Sequence, residues 1–141
     1  EKSLALATAK LTYAFTNATV PKVNLIVDKA YGSAYITMNS KHIGADLVFA
    51  LETAEIGMMD AKQAAQIMYA EEIEAAKDKA AIIDEKAAAY SQIQSSAKAA
   101  AERGYVDGII APEAVRKQLV YAFEMLYTKR EDRPSKKHGT V

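Results

Sequence analysis

The segment at residues 21–41 constrains the fold most, because a short apolar run there leads into small residues and then into helix-forming residues. The apolar run lies at 23–27, and residues 31–35 have the sequence Tyr-Gly-Ser-Ala-Tyr. A buried strand that feeds small residues at a helix start leaves backbone N–H groups pointing outward, with the helix dipole behind them. Such donors can stabilise charge on a carbonyl oxygen, as in an oxyanion hole. Close packing of a helix on a sheet would require the same small residues, so both interpretations stay open here.

The composition limits the classes of partner and chemistry. Lys and Arg equal Asp and Glu at 18 each in 141 residues, so no net charge attracts nucleic acid or an acidic membrane. There is no cysteine, which excludes disulfides and thiolate chemistry, and no apolar run reaches the roughly 20 residues of a membrane helix. We expect a cytoplasmic location. Because the chain starts at Glu1 rather than Met, we also expect it to be part of a longer protein.

Hydrophobic periodicity predicts an α/β layered fold in which strands and helices alternate. The length suits one core, with residues 1–130 forming a single domain and 131–141 a basic tail. The Ala-rich region at 71–103 has few large apolar residues, so we expect much of it to be solvated. The predicted elements are helices at 4–18, 35–42, 60–69 and after Pro112, one or two helices within 71–103, and strands at 23–28, 46–51, 55–59 and 105–110.

Three separated motifs resemble one known family. They are VPKVNLIVDKAYGSAYITMNSKHIGADLVFA from Val20, TAEIGMM from Thr53, and AAERGYVDGIIAPEAVRKQL ending at Leu119. In this order they are similar to the carboxyltransferase subunit of biotin-dependent acyl-CoA carboxylases. The chain departs from that pattern at Ser33, where the family has Gly, at 51–52, where it has Trp-Pro, and at Gly108, where it has Asp.

The resemblance implies the crotonase fold, a spiral of ββα turns of which only the last turns are present. It further implies that this chain is the C-terminal part of the carboxyltransferase C-terminal domain. An isolated piece would leave a sheet edge uncovered, so a homo-oligomer or a missing N-terminal segment would have to cover it.

The resemblance also assigns the site. It implies that the backbone N–H groups of Ser33 and Ala34 donate to the ureido oxygen of biotin, and that Ile36 lines the acyl pocket. Tyr31 and Tyr35 would flank the biotin ring beside Gly32. From the residues alone, Ile36 could equally be a core residue, and both tyrosines could simply pack with their hydroxyls at the rim.

The function implied is transfer of a carboxyl group between carboxybiotin, held on a separate carrier protein, and a short acyl-CoA. The implied partners are acyl-CoA, a biotin carboxyl carrier protein and a biotin carboxylase subunit. Two alternatives stay open: the α subunit of a biotin-dependent acyl-CoA decarboxylase, and a non-catalytic crotonase-like assembly module.

Other functional motifs are not visible. His42 lies at the end of a predicted helix and is interpreted as structural, while His138 lies in the tail. The basic cluster of the tail is either solvated or docked on a neighbouring subunit; it consists of Arg130, Arg133, Lys136 and Lys137. Glu52, Glu55 and Asp60 lack the spacing of metal ligands, so no metal site is expected.

Overall fold

The computed structural model describes residues 2–134, which form seven α-helices and five short β-strands. The helices are α1 (Lys2–Asn17), α2 (Gly32–Thr37), α3 (Ala61–Met68), α4 (Ala70–Ala75), α5 (Lys79–Tyr90), α6 (Ala97–Glu102) and α7 (Val115–Met125). The strands are β1 (Val23–Ile26), β2 (Lys29–Tyr31), β3 (Leu47–Leu51), β4 (Glu55–Gly57) and β5 (Gly108–Ile110). Short 3-10 helices at Lys41–Ile43 and Pro112–Ala114 and a π-helix at Ser91–Ser95 complete the described chain.

All strand pairs between these elements are parallel, and they form two sheets. The first sheet has the order β1-β3-β5, with Val23 opposite Leu47 and Phe49 opposite Gly108. The second sheet pairs β2 with β4. Two strands followed by a helix therefore occur twice in succession, which is the predicted ββα repeat.

Strand β2 was missed by the sequence analysis, which placed a break at 28–30. Its three residues are too few to show a period of two, and the strand exists because it pairs in parallel with β4. The predicted strand at 105–110 is likewise shorter in the structure. The N–H of Tyr105 donates to the carbonyl of Ala100 in α6 at 2.9 Å, so residue 105 still belongs to the turn after that helix, and the strand begins at Gly108.

The helix predicted at 35–42 is wrong in both its start and its end. Gly32, with φ of 59°, turns the chain from β2 directly into α2, so the helix begins three residues earlier. Asn39 also has φ of 59°, in the left-handed region that ends a helix. The amide of Asn24 on β1 donates to the carbonyls of Met38 and Asn39 at 3.2 and 3.1 Å and holds this turn in place.

The core is built mainly from small and β-branched residues. Val48 and Ala50 on the central strand β3 are completely buried, and α6 packs two alanines against the same cluster. The prediction that the Ala-rich region is largely solvated is therefore wrong for α6, because alanine rather than isoleucine forms its buried face. The core cluster consists of Ile26, Tyr35, Ala45, Val48, Ala50, Ala54, Ile56, Ala97, Ala100 and Val106.

The helix predicted after Asp60 is confirmed, and Asp60 caps it by accepting a hydrogen bond from the N–H of Lys62 at 2.9 Å. Helix α3 packs on α5 through Ala61, Ala65 and Ala87. These side chains are small, so the two helices can approach closely.

The last described residues return to the first helix. The ammonium group of Lys129 donates to both carboxylate oxygens of Asp46, at 2.8 and 2.9 Å, and forms an ion pair with Glu131 at 3.2 Å. Arg133 donates to the carbonyl of Thr16 at the end of α1. Lys136, Lys137 and His138 of the predicted tail lie outside the described residues. Within residues 2–134 no helix has the length and hydropathy needed to span a membrane.

Candidate functional site

The turn from β2 into α2 explains why glycine is needed at residue 32. Besides its positive φ, a Cβ on Gly32 would lie 3.1 Å from the carbonyl oxygen of Met58, closer than ordinary contacts allow. Among the non-glycine residues described, Asn39 alone has a positive φ, so Ser33 lies in a conformation open to any residue. The departure from glycine at position 33 therefore introduces no backbone strain.

The first turn of α2 leaves two backbone donors without acceptors. Ser33 and Ala34 are the second and third helical residues, whose N–H groups have no intrahelical partner. No backbone carbonyl or side chain within residues 2–134 accepts a hydrogen bond from either group. Two donors on consecutive residues are thus free for an external oxygen.

A cavity of about 430 Å³ lies on one side of α2. Its size is that of a small-molecule site. It combines an apolar wall with several polar side chains, and none of its described lining residues is acidic. The lining comprises Gly32, Tyr35 and Ile36 from α2, residues 56–58 from β4 and the loop that follows it, and His42, Tyr90, Gln94, Arg103 and Tyr105 opposite.

A smaller hollow of about 320 Å³ lies on the other side of α2. Tyr31, Ala34, Tyr35 and Met38 line it together with residues 24–30 of β1, β2 and the loop between them, of which Asp28 and Lys29 are charged. Helix α2 therefore separates two concave surfaces, and Tyr35 contributes to both.

The hydroxyl of Tyr31 is held by a carboxylate. It donates to Glu55 Oε2, and Ser91 Oγ donates to the other oxygen of Glu55 at 3.4 Å. Burial, together with the hydrogen bond to Glu55, raises the pKa of Tyr31 well above its ordinary value. The phenol therefore stays protonated and fixes β2 to the π-helix across β4.

Tyr35 is buried in the core, with 8% of its surface exposed. Its hydroxyl has no hydrogen-bond partner within the described chain, and it does not lie at the rim as the packing alternative required. Burial, and to a lesser degree the nearby Tyr105, raises the pKa of Tyr35. The ring meets His42 edge-on at 6.0 Å between centroids, and His42 meets Tyr105 at 4.8 Å.

The structure brings together most of the predicted site residues, but on two surfaces. Gly32, Tyr35 and Ile36 line the larger cavity, while Tyr31, Ala34 and Tyr35 line the smaller hollow; the side chain of Ser33 lines neither. Ile36 is 38% exposed, so the alternative that it is a core residue is wrong.

Sequence reasoning missed the far wall of the larger cavity. His42 was interpreted as a structural residue at a helix end, yet it lies in this wall. Arg103 and Tyr105 flank Gly104 inside the third motif, which is the signal that could have identified them. Tyr90 and Gln94 come from the Ala-rich region, where no motif marks them.

Solved structures of carboxyltransferases have the same fold. Transcarboxylase 12S, described as a hexamer assembly with methylmalonyl-coenzyme A and methylmalonic acid bound, matches with a TM-score of 0.87 and 43% identity, over 94% of this chain and 26% of that chain. The beta subunit of P. aeruginosa geranyl-CoA carboxylase matches with a TM-score of 0.70 and 25% identity, over 94% of this chain and 25% of that chain. The predicted crotonase-like α/β fold is confirmed, and the class is that of carboxyltransferases.

Residues 2–141 match the family described as the carboxyl transferase domain, and the chain belongs to this family. A Bacillus subtilis protein named as a propionyl-CoA carboxylase beta chain is 52% identical over 94% of this chain and 26% of its own length. The alpha subunit of methylmalonyl-CoA decarboxylase from Propionigenium modestum is 47% identical over the same shares. The chain thus spans about a quarter of the length of these curated relatives.

Proposed function

We propose that this chain is the C-terminal part of an acyl-CoA carboxyltransferase and supplies the biotin side of its active site. The observation that carries the proposal is the start of α2, where Ser33 and Ala34 present two N–H groups without acceptors. Donors that are fixed before reaction stabilise developing negative charge without the cost of reorganising solvent. The family membership of the chain supports the same chemistry.

The residues at α2 fit a biotin ring. The ureido group of biotin carries a carbonyl oxygen, which accepts hydrogen bonds and matches the two free donors of Ser33 and Ala34. Gly32 allows close approach of the backbone, and the hollow beside Ala34 offers apolar surface and the ring of Tyr31. When bound, carboxybiotin would supply the carboxyl group that is transferred.

The role of α2 is to orient and to stabilise rather than to abstract a proton with a side chain. Its two N–H groups would hold the ureido oxygen while charge develops there. Ile36, on the other side of the helix, would contact the acyl group, and an apolar side chain at this point suits a short acyl chain. Tyr31, fixed by Glu55, would limit the space beside the ring.

The relatives' names suggest the substrates and partners. Propionyl-CoA and methylmalonyl-CoA occur in them, and a related transcarboxylase is described as a hexamer. We infer that the complete protein acts on a short acyl-CoA as a homo-oligomer in the cytoplasm, together with a biotin carboxyl carrier protein and a biotin carboxylase. The decarboxylase relative favours a second candidate, the same transfer in the reverse direction.

The chain on its own should show no carboxyltransferase activity. We propose that the two donors of Ser33 and Ala34 serve biotin, and that a second set of donors, for the negative charge that develops on the acyl-CoA, lies in the rest of the complete protein. The isolated chain would therefore lack half of the site. The measurement is transfer from carboxybiotin to propionyl-CoA, comparing the purified 141-residue chain with the complete enzyme. Transfer by the chain alone would contradict the proposal that part of the active site lies outside this chain. No transfer by the complete enzyme would contradict the proposed function.

Replacing Ile36 by Asp in the complete enzyme should alter acyl-chain selectivity. The charge would lie in an apolar wall beside Ile56 and Met58, where an unpaired carboxylate is unfavourable. We expect the ratio of kcat/KM for acetyl-CoA over butyryl-CoA to change by roughly tenfold or more.

Ile36→Leu is the matched control, since it keeps the wall apolar and should leave that ratio within about threefold. A folded Ile36→Asp variant with an unchanged ratio would remove Ile36 from the acyl pocket.

A further inference from the structure

The larger cavity beside α2 carries a positive charge without a negative neighbour. Arg103 lies in its wall, and no acidic side chain is among the described lining residues. The opposite wall is apolar, with Ile36, Ile56 and Met58. A ligand that suits both walls would have a short aliphatic part and an anionic group.

Arg103 is held in place by neutral acceptors only. Its guanidinium donates to the carbonyl of Gln94 at 2.7 Å, to the carbonyl of Ile93 at 3.4 Å, and to the side-chain oxygen of Gln94. These contacts fix the side chain on the π-helix but leave its charge unpaired. No carboxylate within residues 2–134 forms an ion pair with it.

The hydroxyl of Tyr35 is a second, independent sign of a ligand. Tyr35 is more than nine-tenths buried, lines the same cavity, and has no hydrogen-bond partner for its hydroxyl. Leaving such a group unpaired destabilises the folded protein, so it is normally satisfied by protein, water or ligand. A phenol that stays protonated can donate to an anion.

We propose that Arg103 and Tyr35 form a carboxylate subsite, which holds the free carboxyl of a carboxylated short-chain acyl-CoA. The inference rests on the proposed function and goes beyond it, because it distinguishes the carboxylated acyl-CoA from its uncarboxylated counterpart. The guanidinium supplies the charge and a planar set of donors that matches a carboxylate. The apolar wall of Ile36, Ile56 and Met58 receives the aliphatic part of the acyl group.

The test compares two thioesters that differ by one carboxylate, methylmalonyl-CoA and propionyl-CoA, by calorimetric titration of the complete enzyme without carboxybiotin. Arg103→Gln should weaken binding of methylmalonyl-CoA by about tenfold or more and leave that of propionyl-CoA unchanged. Arg103→Lys keeps the charge and should recover part of the loss. Lys98→Gln removes a lysine charge from the exposed face of α6 and should change neither affinity.

Tyr35→Phe separates a ligand-binding hydroxyl from a structural one. It removes only the unpaired hydroxyl, so it should weaken binding of methylmalonyl-CoA several-fold while leaving the melting temperature equal or higher. A hydroxyl with a structural partner would give a lower melting temperature.

If Arg103→Gln weakened the binding of both thioesters equally, Arg103 would contact the CoA portion that they share. If it weakened the binding of neither thioester, Arg103 would contact neither the carboxylate nor the CoA portion. Either result would overturn the carboxylate subsite while leaving the proposed function intact. Failure of the wild-type enzyme to bind either thioester would instead overturn the proposed function, and the subsite with it.

Discussion

Replacing Ala34 by proline in the complete enzyme should lower kcat by about 100- to 1,000-fold. Proline has no N–H, so one of the two free donors at the start of α2 is lost. Removing one oxyanion-hole donor typically costs about 3 kcal/mol of transition-state stabilisation. Proline is tolerated in the first turn of a helix, where its missing N–H breaks no intrahelical hydrogen bond, so the fold should survive.

Ala34→Gly is the matched control, since it keeps the N–H and removes only a methyl group. Its turnover should stay within about tenfold of the wild type, and both variants should be compared by thermal melting as well as by kcat. An Ala34→Pro enzyme that is folded and retains a tenth or more of wild-type turnover would contradict the role of this N–H. Close packing of α2 on the sheet would then be the better explanation of the small residues.

The sequence predicted the fold class and most element positions, because these depend on local patterns and on separated motifs. The helix starting near Leu4, the strands near Val23 and Asp46, and the Asp60 cap are all in place. Strand β2 and the ends of α2 could not be predicted in the same way. They depend on pairing with β4 and on positive φ values at Gly32 and Asn39, which no periodicity reveals.

The residues of the candidate site likewise fall into a group that the sequence predicted and a group that it could not predict. The residues on α2 follow one another in the chain, so a single motif was enough to select them. The far wall of the larger cavity comes from His42, Gln94 and Arg103, which lie up to about sixty positions apart and meet only through the packing of the π-helix and α6. The unpaired hydroxyl of Tyr35 is equally invisible in the sequence, because it depends on the neighbours that the fold provides.

Removing the carboxylate of Asp46 should be among the most destabilising single changes at a polar position. Asp46 accepts two hydrogen bonds from Lys129 and one from the backbone N–H of Lys22 at 2.7 Å, and so joins the C-terminal segment to the start of β1. About 13% of the Lys129 side chain is exposed, so its charge would lose its main partner in a largely buried position. We expect Asp46→Ala to lower the free energy of unfolding by about 2–3 kcal/mol in urea titrations.

The matched control is Asp84→Ala, which removes an ion pair to Lys62 of similar length, 2.7 Å, on an exposed surface. Exposed pairs contribute little, so this variant should lose only a small fraction of the stability that Asp46→Ala loses. Equal losses in the two variants would show that the Asp46 contacts do not anchor the C-terminal segment.

The stability contributed by Asp46 should also depend on pH, and the direction of this dependence follows from the pKa of Asp46. Burial alone would raise the pKa of Asp46, but the hydrogen bonds from Lys129 and Lys22 outweigh it and hold the pKa below its ordinary value. A depressed carboxylate pKa adds stability that is fully present above the unfolded value of about 3.9 and is lost as the pH falls through the lower folded value. The difference in unfolding free energy between wild type and Asp46→Ala should therefore be constant from about pH 5 to 7 and shrink below about pH 4. A difference that stayed constant down to about pH 2 would show that the charge of Asp46 is not what stabilises this junction.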